Sequence, residues 1–358
     1  MKKNAHVALV LLLLSVLLAG CGSSTVVKDN TDEGNSGKDT VTVAFSQVGA
    51  ESDWRSTNTQ SMLDAFADGS YTLVYKNGQQ KQSNQITHIR MFIQQGVDYI
   101  VLAPATETGW DSVLSEAEEA GIPVIICDRR VDVGNKNLFS CWVGSDFELE
   151  GQKMAAWIKE YTTRQGIAPS DVHIVNIQGT LGSTAQIGRT RGLSNAARDN
   201  GWDLVAEETG DFTETKGKEV MTSMLRRFDN INVVYCENDN EAIGAIEAIE
   251  AAGKKAGSNI KRGEIMVVSF DAVNKEALQY AREGKISCIA ECNPLHGPRV
   301  KALIETLENG ETPEKFNYVD ERLFSSIETV KSVTVDGITY DIDPLPEDES
   351  ASGGTSGG

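Results

Sequence analysis

From Val41 onward, short β-branched runs alternate with longer amphipathic stretches, and this alternation confines the chain to one class of fold. The runs cover residues 41–45, 71–75, 99–102, 123–127, 139–143, 172–177, 204–206, 233–236, 266–270 and 286–290. Helix-like segments lie between them at 82–95, 109–120, 148–161, 184–199, 216–227, 240–252 and 274–282, with 63–66 and 303–307 inside two more. Strands this uniformly apolar are covered on both faces, the condition of a parallel sheet. Alternation of strand and helix then implies right-handed crossovers. Gly96, Gly121, Gly201, Gly253 and Gly284 stand where helices should end, because glycine accepts the left-handed cap conformation. The strands fall into two sets of about five. The expected fold class is therefore α/β, with two doubly wound parallel-sheet lobes and a first passage between them at residues 143–148.

The ends of the chain differ from this body. Lys2 and Lys3 precede an apolar run over 7–18 that is too short to span a bilayer comfortably and has the pattern of a signal-peptide core. It closes on Leu18-Ala19-Gly20-Cys21, which resembles a bacterial lipobox. The expectation is a signal peptide over 1–20, lipidation at Cys21 and a bacterial membrane-anchored, extracytoplasmic protein. Each buried acyl CH₂ would add about 0.8 kcal/mol to anchoring. Residues 21–40 are rich in Gly, Ser, Thr, Asn and Asp and read as a flexible tether; 346–358 read as a disordered tail. No later apolar run reaches membrane-spanning length. Loss of Lys2 and Lys3 takes the formal charge from −19 to −21, a balance that repels phosphates and excludes nucleic acid as a partner.

Cys127, Cys141, Cys236, Cys288 and Cys292 sit in apolar runs and read as small core residues. An oxidising compartment permits one disulfide, and Cys127 with Cys141 is the pair to test. No cysteine or histidine cluster has metal spacing, no cofactor motif is present, and no catalytic motif of nucleotide, zinc or serine chemistry appears. His88, His173 and His296 have no evident carboxylate or cysteine partner in the sequence.

Polar residues collect after the apolar runs. Ser46 and Gln47 follow Phe45, Asp128 and Arg129 follow Cys127, and Glu237, Asn238 and Asp239 follow Cys236. Asp271 follows Phe270, Glu291 follows Ala290, and Gln178-Gly179-Thr180 ends another run. Ligands of open parallel sheets bind beyond the carboxyl ends of the strands, so these groups are expected to line one cleft. Any one of them alone reads equally as a helix cap. Together the residue types suit a sugar: Asp and Arg form charge-assisted hydrogen bonds, and Asn both donates and accepts. Trp54 and Phe212 offer flat faces for sugar C–H groups, or ordinary core packing.

Several strings resemble the galactofuranose-binding periplasmic proteins of sugar ABC transporters, within the ribose- and galactose-binding class. They are Phe45-Ser46-Gln47-Val48-Gly49, Glu51-Ser52-Asp53-Trp54-Arg55, Asn77-Gly78-Gln79-Gln80-Lys81-Gln82, Ala103-Pro104 with Thr108-Gly109-Trp110, Asp128-Arg129, Gly210-Asp211-Phe212-Thr213 and residues 216–221. The resemblance runs from about residue 41 to 314 and weakens after Pro313. It implies a type I periplasmic binding protein with a three-crossover hinge. The N-terminal lobe would hold 41–145 and 294–321, and the C-terminal lobe 146–293 and 322–345. It implies a monosaccharide ligand bound by Gln47, Trp54, Arg55, Asp128, Arg129, Arg189, Phe212, Asn238, Asp271 and Glu291. Arg191 is the alternative to Arg189. Glu291 stands where ribose binders carry a neutral amide, which argues against ribose. The implied partner is an ABC permease, reached by a monomer that touches the membrane only through its lipid. Lobe closure around a sugar bridging both half-sites would be the mechanism. Two further readings stay open: a sugar sensor for a chemoreceptor or kinase, and a secreted glycosidase using Asp128 and Glu291.

Overall fold

The computed structural model describes residues 40–347. The expected signal, the tether with Cys21, and the tail from residue 348 lie outside the described residues. In chain order the first lobe begins with β1 (Thr42–Gln47), α1 (Asp53–Ala65), β2 (Thr72–Asn77), α2 (Gln82–Gln95), β3 (Tyr99–Leu102), α3 (Asp111–Glu119), β4 (Val124–Cys127) and β5 (Cys141–Gly144). The second follows as α4 (Phe147–Arg164), β6 (His173–Gln178), α5 (Thr184–Asn200), β7 (Asp203–Thr209), α6 (Glu214–Arg227), β8 (Val233–Cys236), α7 (Asp239–Ala251), β9 (Met266–Asp271), α8 (Lys275–Arg282) and β10 (Ile286–Glu291). The chain then returns to the first lobe with α9 (Gly297–Glu308) and β11 (Phe316–Tyr318). It ends in the second with β12 (Leu323–Phe324), β13 (Ser332–Val335) and β14 (Ile338–Asp343).

The first sheet has the order β11-β5-β4-β3-β1-β2, and its pairings are parallel. The second has the order β13-β14-β12-β10-β9-β8-β6-β7. Its β7-β6-β8-β9-β10 portion is parallel, as in the first sheet, while β12 runs antiparallel to β10. The chain thus passes between sheets three times: between β5 and α4, between β10 and α9, and between β11 and β12. In each lobe the winding reverses beside the first strand, between β1 and β3 and between β6 and β8. Such switch points open a crevice at the carboxyl ends of the strands.

The apolar runs are explained by two-sided burial. Ala44 packs into one cluster with Ile89, Phe92 and Ile100, while Val43 and Phe45 pack into another with Met62, Val300 and Ile304. The second sheet divides in the same way, with Val175 and Ile177 on one face and Ile174 and Tyr235 on the other. Gly96, Gly121, Gly201, Gly253 and Gly284 all adopt positive φ, between 65° and 77°. The expected two sets of five strands are present, and β11 to β14 extend them. The five cysteines among the described residues are free thiols. The pair considered for a bridge is out of register: Cys127 lies opposite Val143, and Cys141 opposite Ile125.

Candidate functional site

A narrow cavity lies between the lobes, at the carboxyl ends of both sets of strands. Trp54, Arg55, Asp128 and Arg129 line it from the first lobe, and Arg189, Phe212, Asn238 and Asp271 from the second. Glu51, Ser52, Phe147, Ala185 and Cys292 complete the wall. Trp54, Phe147, Ala185, Phe212 and Cys292 form a small apolar cluster of their own, separate from the four sheet-face cores.

The first half-site hangs on the start of α1. Ser52 caps the helix by accepting a hydrogen bond from Arg55 N, which sets Trp54 and Arg55 on its first turn. The Arg55 guanidinium then donates three ways, to Asp128 Oδ2 at 2.6 Å, Gln47 Oε1 at 3.2 Å and Glu51 Oε1 at 3.3 Å. Arg129 Nη2 donates to the same Glu51 oxygen at 3.2 Å, and its Nη1 donates to the Ala105 carbonyl at 3.1 Å. Glu51 Oε2 and Arg129 Nε are buried without a protein partner. Burial alone would raise the pKa of Asp128, but Arg55 and Arg129 outweigh it and hold the carboxyl below its usual range. Trp54 Nε1 donates to the Cys292 carbonyl at 2.6 Å, so this ring bridges to the second crossing.

The second half-site hangs on Arg189, a side chain of α5. Its Nε donates to Glu150 Oε2 at 2.7 Å and its Nη2 to Asp271 Oδ1 at 3.4 Å, while Nη1 donates to the Glu237 carbonyl. Burial raises the pKa of Asp271 well above the usual value; Arg189 opposes this, while Asp239, Glu150 and Asp128 reinforce it. Asp271 sits at φ 100° and Ala272 at 61°, left-handed conformations that cost non-glycine residues free energy and collect at functional sites. The Asp239 carboxylate holds that turn by accepting from Val273 N at 2.9 Å and Asn274 N at 3.0 Å. Asn238 caps α7 through Oδ1, and its Nδ2 donates to the Phe212 carbonyl at 3.1 Å, leaving one amide hydrogen for the cavity. Phe212 lies against Gly179, where a Cβ would fall 1.9 Å from the ring.

The lobes also touch at their rims. Asn240 Nδ2 donates to Asp53 Oδ2 at 2.9 Å, Asn274 Nδ2 donates to the same oxygen, and Glu107 N donates to the Gly182 carbonyl at 3.2 Å. The structure is therefore a closed form.

Two of the ten residues named from sequence do not border the cavity. Gln47 ends β1 but is wholly buried, its Nε2 donating to Asn58 at 2.9 Å and Thr59 at 3.0 Å; it orients Arg55 instead. Glu291 ends β10 and turns to Arg322, accepting from its Nε at 3.2 Å and its backbone N at 3.1 Å. Glu291 is thus turned away from the cavity that Asp128 lines, where a glycosidase pair would have both acids facing one bond. Between the two arginines, Arg189 is in the wall, whereas Arg191 is exposed and paired with Glu148. Of the cavity residues that sequence reasoning missed, Glu51 carried a signal, standing four residues before Arg55 as an acid before a base. Two histidines do have a carboxylate or cysteine partner: His173 Nδ1 lies 2.8 Å from Asp203, and His296 Nδ1 lies 3.3 Å from Cys127 Sγ. Burial lowers the His296 pKa to about 4, so this ring beneath Trp54 is neutral.

Residues 43–321 match the periplasmic binding protein domain family. The chain is 38% identical to the galactofuranose-binding protein YtfQ of Escherichia coli over 290 residues, covering 79% of this chain and 87% of that protein. A Mycobacterium smegmatis crystal structure in complex with β-D-fucofuranose is similar at TM-score 0.75 and 39% identity, covering 80% of this chain and 91% of that one. The binding protein of the Shewanella sp. ANA-3 arabinose ABC transporter, bound to L-arabinofuranose, is similar at TM-score 0.73 and 34% identity, covering 79% and 91%. The chain belongs to the periplasmic binding protein domain family, a family of extracytoplasmic binding proteins rather than enzymes.

Proposed function

We propose that this protein is the sugar-capturing subunit of an ABC importer, held at the outer face of a bacterial membrane by lipid at Cys21, and that it closes on a monosaccharide in its furanose form. The observation that carries this reading is the paired half-sites. Two lobes bring arginine–carboxylate sets and two flat aromatic faces, Trp54 and Phe212, to one cavity. Arg55 already donates to Asp128, Arg129 to Glu51 and Arg189 to Glu150, so little ordering cost falls on binding. The similarity to proteins named for galactofuranose, fucofuranose and arabinofuranose supports the ring form. The three crossings act as the hinge, with 41–145 and 294–321 moving against 146–293 and 322–345. The closed shape is what the permease reads, and the protein works as a monomer.

A thermal-shift screen against L-arabinose, D-fucose, D-galactose and D-ribose tests the ligand class. Ligand at 100 times its Kd adds about 2.7 kcal/mol of stability and raises the melting temperature. L-Arabinose or the galacto-configured sugars should raise it more than ribose. A flat response to every sugar in the set defeats the proposal.

A further inference from the structure

Behind the sugar cavity the three crossings between lobes converge on one pair of acids. Ser145 lies on the first crossing, Cys292 and Asn293 on the second, and Glu321 on the third. Glu321 Oε1 accepts from Ser145 Oγ at 2.6 Å and from Asn293 N at 2.7 Å, and Ser145 Oγ lies 3.3 Å from Cys292 Sγ. Glu150, from the first turn of α4, faces this knot: ligand-type atoms of Glu150, Cys292 and Glu321 lie within 4.8 Å of one another. Through Oε2, Glu150 holds Arg189 at 2.7 Å, while its Oε1 is buried and accepts from no donor when both acids are ionised.

We propose that Glu150 and Glu321 share one proton, carried by Glu321 and donated to Glu150 Oε1, and that this proton ties the three crossings together and fixes Arg189 in the cavity wall. Two bare carboxylates a few ångströms apart in a dry hinge repel each other, whereas one proton turns the repulsion into a hydrogen bond. It also satisfies an acceptor that otherwise has none. The proton belongs on Glu321 because Glu150 already faces a guanidinium. Burial and then the Glu150 charge raise the Glu321 pKa well above its usual value; burial likewise raises that of Glu150, against the pull of Arg189.

The other groups around the pair fit this arrangement. Arg189 faces it from α5, and Lys153 of α4 donates to the Glu321 carbonyl at 2.9 Å. Cys292 is kept a thiol, since burial and then Glu150 raise its pKa. Asp271 lies beyond Arg189, Asp146 and Asp320 act on Lys153, and the Tyr235 phenol feels Glu150. Two cations beside the knot suit a singly protonated acid pair and disfavour a divalent metal there. Glu321 is thus a positioning residue, acting on Arg189 through Glu150.

The first test needs no sugar and so stands apart from the proposed function. A carboxyl with a raised folded pKa stabilises the fold at low pH and loses that contribution as pH rises from its ordinary 4.5 through the raised value. Wild-type folding equilibrium should fall over this range, by up to about tenfold per pH unit for one linked proton. Glu321→Gln, whose amide donates without titrating, should show a slope shallower by that one proton. Parallel profiles overturn the proposal. Should the variant not fold, carboxyl NMR of wild-type protein with labelled glutamate, with the Glu150 and Glu321 signals assigned, decides instead: a proton still held by that pair at neutral pH supports the proposal, and ordinary titration of both overturns it. The second test uses L-arabinose and rests on the sugar-binding reading. Wild-type affinity should weaken at alkaline pH, Glu321→Gln should weaken less over the same range, and Glu321→Ala should be weak at every pH. If Gln does not restore what Ala loses, the positioning role is wrong, whatever the sugar-free profiles show.

Discussion

On the first-lobe side of the cavity two arginines serve two carboxylates, whereas on the second-lobe side one arginine serves two. The difference appears in the distances. Arg55 meets Asp128 at 2.6 Å, but Arg189, drawn toward Glu150 at 2.7 Å, reaches Asp271 only at 3.4 Å. It appears again in protonation. Both acids are buried, yet cations hold Asp128 below its usual range, while Asp271, among Asp239, Glu150 and Asp128, is raised well above it. Burial therefore does not fix the character of a site carboxyl; the local count of cations to acids does. Asp128 is thus held as an anion, whereas Asp271 is drawn toward its protonated form.

The largest effect that can break this contrast is expected at Asp128. Asp128→Asn leaves Arg55 with weaker partners and Arg129 facing an uncompensated like charge. Removing one member of a buried hydrogen-bonded charge pair costs about 2–5 kcal/mol, an affinity loss above roughly thirtyfold. Titration calorimetry with L-arabinose measures it. A dissociation constant within about threefold of wild type would mean that the first half-site is not the anionic clamp described.

Asp271→Asn is expected to be milder. The amide keeps the size and donor of a protonated acid, so the loss is one adjusted hydrogen bond, about 1 kcal/mol or fivefold. The variant should also flatten part of the pH dependence. A raised folded pKa means that the native state binds the extra proton, so wild-type stability falls as pH climbs from the ordinary 3.8 toward the raised value. Urea unfolding across that range should show a shallower decline for Asp271→Asn. An affinity loss equal to that of Asp128→Asn would erase the distinction between the half-sites.

The same contrast explains how far the sequence could be read. The inner strands among β1 to β10 were legible because both their faces are covered, which writes burial into the chain as apolar runs; the edge strands β2 and β7 are only partly buried and kept shorter ones. Strands β11 and β12, of three and two residues, are too short to leave a pattern, and β14, Ile-Thr-Tyr-Asp-Ile-Asp, is a half-exposed strand that alternates apolar with polar residues instead of forming an apolar run. In the cavity wall, Asp128, Asn238 and Asp271 were legible because topology sends strand ends to the crevice. The same rule pointed to Gln47 and Glu291 and was too coarse there. Each is the last residue of its strand, and packing turned one beneath Arg55 and the other toward Arg322. Phe147 and Cys292 were missed because they ride on the crossings, whose course depends on how two whole lobes meet.

The smallest expected effect concerns neither half-site but the bond between them. Asp53, next to Trp54, accepts across the cleft from the side chains of Asn240 and Asn274, at the starts of α7 and α8. These contacts are solvent-exposed, so together they are worth about 1 kcal/mol or less. They exist only when the lobes meet, so their full value falls on the closed state. Asp53→Ala should weaken L-arabinose binding by up to about fivefold, while Asp128 and Asp271 keep their partners. X-ray scattering of the sugar-free variant should show a more open average shape than wild type, and saturating sugar should restore the closed one. If affinity fell while the scattering stayed unchanged, Asp53 would be acting on the sugar rather than on closure. The first half-site would then extend to the rim, and its greater share of the binding would no longer rest on Asp128 and its two arginines alone.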